Sequence, residues 1–177
     1  MIKQLLAASG AVCFSLLPSQ ARIESGTGDL LRLMDRYGVN VSTGTAANCR
    51  GAMGLISFKP GDVSVDICYS GTPQAKDHDT VRHEAWHFVQ YCQMINNGIP
   101  TRVLPTVHTD RNEYIQFVQT HLSNATIQRI RSVYPSHQHG AELEAFAAAN
   151  AFTANEIAHK MRLTCNPVFG PPTTYKL

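Results

Sequence analysis

The sequence predicts an α+β fold in which a short N-terminal sheet packs on a helical part, and three observations predict it. Short, alternating, β-branched stretches cluster between residues 39 and 69. From about residue 79 onward the apolar residues recur at helical spacing instead. The two kinds of segment do not alternate along the chain, which argues against a βαβ arrangement. With 44% hydrophobic residues in 177, the chain can bury the core of one domain and is not disordered.

The first 21 residues, MIKQLLAASGAVCFSLLPSQA, stand apart. Lys3 supplies a positive start, Leu5 to Leu17 an apolar stretch of roughly 13 residues, and Ser19-Gln20-Ala21 a small-residue cleavage pattern. Such a stretch is short for a bilayer, which takes ~20 apolar residues, and Val12 before Cys13 argues against a lipid anchor. The expectation is a signal peptide over 1–21 and a single domain over 22–177, secreted or periplasmic, with no stable membrane anchor. Removal (177 − 21) leaves 156 residues and four cysteines, Cys49, Cys68, Cys92 and Cys165. An even count in an exported chain favours two disulfides. Cys49 and Cys68 flank a hairpin pattern, and Cys92 and Cys165 fall near two helix ends, so those are the expected pairs. Fifteen Lys+Arg against thirteen Asp+Glu is too balanced for an electrostatic nucleic-acid binder, and the chain is expected to be a monomer.

A first helix is expected from Asp29 to Tyr37, where Leu30, Leu33, Met34 and Tyr37 share a face and Gly38 stops it. Val39–Thr43 reads as a strand. Gly54–Lys59 and Val63–Tyr69 read as two more, joined by the turn pair Pro60-Gly61. A long helix then runs from about Asp79 to Asn96, capped by Asp77 or Asp79. A third covers Asp110 to Leu122 with Thr109 as its cap, and a fourth Asn124 to Tyr134. A last, long helix spans Gly140 to Arg162, and the proline-containing tail from Asn166 is expected not to extend it.

The second helix carries the chemistry. His83-Glu84-Ala85-Trp86-His87 is an HExxH sequence, and residues four apart on a helix share a face, so two imidazoles can converge on one ion. Glu84 lies ~100° round from His83, beside the ion, where its carboxylate can accept a proton from an attacking water. Val81, Ala85, Phe88, Cys92 and Ile95 form an apolar stripe, which predicts that the histidines face a cleft on the other side. Trp86 is expected in the core or as a cleft wall. His78, His108, His121 and His159 have no partner pattern and default to the solvated surface.

A catalytic zinc site needs a third protein ligand and one open position. The extension HExxHxxGxxH is absent, because Gln90 and Gln93 stand at its Gly and His positions. The remaining candidates lie in Glu142-Leu143-Glu144-Ala145. Being two apart on a helix, Glu142 and Glu144 point ~200° apart and cannot both bind one ion; the other would orient a histidine. The alanines on both faces permit close helix approach and do not separate the two. His137 and His139 precede this helix as further candidates, for substrate contact or, with Tyr134, for oxyanion stabilisation.

Here the chain resembles the gluzincin branch of zincin metallopeptidases, in which HExxH is paired with a glutamate on a downstream helix. Some small exported or phage-borne members look like HExxHxxQ followed by ExEA, as His83 through Gln90 and Glu142 through Ala145 do. The resemblance implies a zincin-like fold and a zinc-dependent endopeptidase acting on peptide or protein substrates. It implies Zn2+ held by His83, His87 and Glu142, although Glu144-Ala-Phe-Ala147 fits its ExxA pattern too. It also implies that extended substrate lies along the free edge of Gly54–Lys59 or Val63–Tyr69. Two rivals remain: an exported zinc-binding protein without catalysis, and a disulfide-stapled interaction protein.

Overall fold

Strand β3 (Asp62–Cys68) lies in the middle of a three-stranded sheet, parallel to β1 (Asn40–Gly44) and antiparallel to β2 (Gly54–Lys59). The computed structural model describes residues 26–44, 53–59, 62–68, 74–99 and 103–171. Val63, Val65 and Ile67 are buried while Ser64 and Asp66 are partly exposed, the alternation expected of a strand with one face on a core. The central place of β3 corrects one expectation: paired on both sides, it offers no free edge. The outer side of β2 has no strand neighbour among the described residues. Pro60-Gly61, Tyr69, the 1–21 segment and Cys49 all lie outside the described residues.

Below the sheet, α1 (Thr27–Arg36), α2 (Ala75–Asn96) and α6 (Ala154–Phe169) enclose the main core. Leu30, Leu33, Met34, Val65, Phe88, Val89, Ile157 and Met161 meet there. A second cluster joins α3 (Arg111–His121), α4 (Asn124–Val133) and α5 (His139–Ala151) through Val118, Leu122, Ile127, Ile130 and Leu143. The architecture is therefore α+β, with a small sheet on a larger helical part. No helix among the described residues is long and apolar enough to cross a membrane. A Cys92–Cys165 disulfide ties α2 to α6, as expected from their positions, and Cys68 is disulfide-bonded as well.

Several element boundaries differ from expectation, each for a local reason. α2 begins at Ala75, a turn before Asp79, because Asp77 Oδ2 accepts the Gln74 N–H at 2.6 Å and satisfies a helix-start donor. Asp110, not Thr109, caps α3 by accepting from Asn112 N and Glu113 N. The long last helix is two helices. Phe152 is extended, and Thr153 and Glu156 form a capping box that starts α6 afresh. α6 then passes through Pro167 to Phe169. Tertiary contacts hold that last turn: Tyr37 Oη donates to Asn166 Oδ1 at 2.5 Å, and Phe169 stacks on Phe88 at 5.9 Å. Ile95 leaves the expected apolar stripe and is 39% exposed.

Candidate metal centre

α2 is covered on both sides at its middle. Val81, Ala85 and Phe88 face the core, while His83 and His87 face α5 and not an open cleft. Ala145 and Ala148, both fully buried, keep α5 slim where it lies against α2. Glu142 thereby comes within reach of both histidines.

His83 Nε2 and His87 Nε2 are 3.1 Å apart, and Glu142 Oε2 lies 3.4 Å from the first and 3.6 Å from the second. Ligands at ~2.0–2.1 Å from a tetrahedral zinc stand ~3.3–3.4 Å from one another, so this triangle has the size of one tetrahedral face. Glu142 Oε2 and His83 Nδ1 are buried without a hydrogen-bond partner. Buried polar atoms are normally paired, and a cation seated between the carboxylate oxygen and the two imidazole nitrogens would satisfy all three. Two imidazoles and one carboxylate are a donor set that zinc accepts. These three residues could hold a metal ion.

The titration behaviour follows the same demand for positive charge. Burial works against a charged His87, yet the Glu142 carboxylate outweighs it and raises the imidazole to about 9. Burial pushes Glu142 up, but His87 and His83 together hold it well below the usual carboxylate range. Glu84 is buried beside them. Burial raises its carboxyl above the ordinary value, against the opposing pull of His83, His87 and a hydrogen bond from Ile56 of β2. Burial, followed by the Glu142 and Glu84 carboxylates, pushes the Tyr134 phenol up, so it keeps its proton at neutral pH next to both.

The remaining sequence candidates separate. Glu144 points away from the triad and is fully buried. Its Oε2 accepts from Trp86 Nε1 (3.1 Å), Gln90 Nε2 (2.8 Å) and Val107 N (2.7 Å). Its Oε1 accepts from His108 N (2.8 Å) and is 2.7 Å from His108 Nδ1. His137 is exposed on a 3-10 turn, and His139 Nε2 is spent on the Tyr134 carbonyl at 2.7 Å, so neither joins the triad. His108 and His78 are not solvated surface groups: one serves Glu144, and the other bonds Thr27 Oγ1 at 2.6 Å. Trp86 is a core residue, 2% exposed.

The roles of three residues were not read from the sequence, although Gln90 stands there as the last residue of the HExxHxxQ pattern. Gln90 is fully buried beside His87, and its position three residues along the same face was the available signal. Phe146 packs on the His83 ring at 4.3 Å. Gly54 lies against Glu84, which nothing local in the sequence marks. No protein-family model matches the chain, and neither a curated protein nor a solved structure matches it.

Proposed function

We propose that this chain is a zinc-dependent endopeptidase of gluzincin type, secreted or periplasmic once residues 1–21 are removed. The observation that supports it best is the triangle of His83 Nε2, His87 Nε2 and Glu142 Oε2, whose carboxylate oxygen is buried without a hydrogen bond. Zinc bound there would polarise a substrate carbonyl and acidify water. His83, His87 and Glu142 would hold it.

Glu84 is the general base. Its raised pKa makes the ionised carboxylate a stronger base, able to accept a proton from the attacking water and return it to the leaving amine. Tyr134, protonated and facing the same carboxylates, donates its O–H to the developing oxyanion. Peptide substrate extends along the outer edge of β2, which also supplies the Ile56 N–H to Glu84. The Cys92–Cys165 disulfide is compatible with an oxidising compartment.

The test is reconstitution followed by hydrolysis of an unstructured protein. Wild type should hold about one zinc per chain, and Glu84→Gln should keep the metal while losing ~10²-fold or more of the rate. Glu142→Ala should lose the metal. A wild-type chain that takes up no zinc would sink the reading. A second reading has its own observation: the His83 and His87 side chains are only 10% and 5% exposed, which suits a metal held without turnover. Full zinc content with no hydrolysis of any peptide would favour it.

A further inference from the structure

Gln90 is an uncharged polar side chain with no solvent exposure, and both ends of its amide are used. Its Nε2 lies 2.8 Å from Glu144 Oε2 and 3.1 Å from the Ala141 carbonyl. Both partners are acceptors only, so the atom facing them must be the NH2 group. Its Oε1 therefore faces His87 Nδ1, at 2.8 Å. An amide oxygen only accepts, which obliges Nδ1 to carry the proton. The neutral His87 ring is then left with its lone pair on Nε2, the atom in the triangle with His83 and Glu142.

We propose that Gln90, locked by Glu144, is a positioning residue that sets the tautomer of His87 and so makes the metal-facing nitrogen a donor of electrons. The polarity runs in one direction along the chain of bonds. The Val107 and His108 backbone N–H groups fix the Glu144 carboxylate, the carboxylate and the Ala141 carbonyl fix the amide, and the amide fixes the ring. Without Gln90, an imidazole has no reason to place its proton on Nδ1. Solution favours the Nε2–H form, whose Nε2 cannot bind a cation until that proton leaves. Position 90 is thus the orienting partner that a ligand histidine ordinarily finds in a carboxylate or backbone carbonyl.

The role of His87 as a ligand rests on the zinc reading above; the tautomer does not, and the experiment separates them. The ring nitrogens of His87 are observed by 15N NMR in the zinc-free full chain, above the imidazolium titration, for wild type and Gln90→Met. Methionine matches glutamine in length and shape but offers no amide. The expected result is Nδ1–H in wild type and mainly Nε2–H in Gln90→Met, with zinc affinity by chelator competition falling about 10- to 100-fold in the variant. Nε2–H in the wild-type chain overturns the proposal without any variant, so a poorly folding Gln90→Met does not shield it. An unchanged tautomer or unchanged affinity in Gln90→Met overturns it equally. A wild-type chain that shows Nδ1–H yet binds no zinc would remove the metal reading and leave the tautomer assignment standing.

Discussion

Gly54 of β2 lies directly against Glu84 of α2: a Cβ at position 54 would sit 2.8 Å from Glu84 Oε1 and 3.0 Å from its Cγ. It would also meet Thr80 Cγ2 at 2.5 Å. The glycine is required for approach, since sheet and helix could not close to this distance over a side chain. Gly54→Ala should cost about 1–3 kcal/mol of stability by overpacking. It should also move Glu84 off its Ile56 hydrogen bond and, on the proposed endopeptidase function, cut hydrolysis more than zinc content. Urea melts and rates measured together check this, and an alanine variant of wild-type stability and rate would refute the contact.

The Cys92–Cys165 pair, 73 residues apart in sequence and fully buried, should be a large single contribution to stability. Chain entropy for a loop of that length gives about 4 kcal/mol, and removal of native disulfides typically costs 2–5. The double variant Cys92→Ala/Cys165→Ala should therefore unfold at much lower urea. A shift under ~1 kcal/mol would mean that the α2–α6 contact is held by packing alone.

Thr153 marks where one expected helix became two. Its Oγ1 accepts the Glu156 N–H at 3.3 Å, while Glu156 Oε2 takes the Thr153 N–H at 2.8 Å. Thr153→Ala should cost about 1 kcal/mol by thermal or urea unfolding. Were it neutral or stabilising, the break at Phe152 would be set by tertiary packing and not by the cap.

That break shows which features the sequence makes legible. The spacing of His83 and His87, the alternation in β3 and the stripe on α1 are local, and a helix or strand converts them directly into a face. The Thr153-x-x-Glu156 box was equally local but was hidden inside a continuous helical pattern of alanines. The parallel pairing of β1 with β3, the closure of α5 over the histidines and the contact of Gly54 with Glu84 join residues distant in sequence. No spacing rule reports them. Glu142 and Glu144 could be said to face opposite ways, but which one faced the histidines depended on how α5 rotates against α2. Alanines on both faces of α5 left that rotation open.

Glu144 gives a pH signature that a substitution at its own position isolates, since Glu142 of the triad, also held low, is common to wild type and variant. Burial alone would raise its carboxyl, but the His108 side chain, the His108 and Val107 N–H groups and Gln90 outweigh it and hold it below the ordinary value. A carboxyl depressed in the folded state adds stability that is fully present above its unfolded pKa of ~4.3 and is lost as pH falls through the folded value. Glu144→Gln removes that titration and leaves the donors of residues 107 and 108 facing an amide, at a cost of about 3 kcal/mol or more at neutral pH. Urea midpoints of the zinc-free wild type and variant should therefore differ most above pH ~5 and converge as pH drops below ~4. A gap that stays constant across that range would mean that Glu144 is not held ionised by this network.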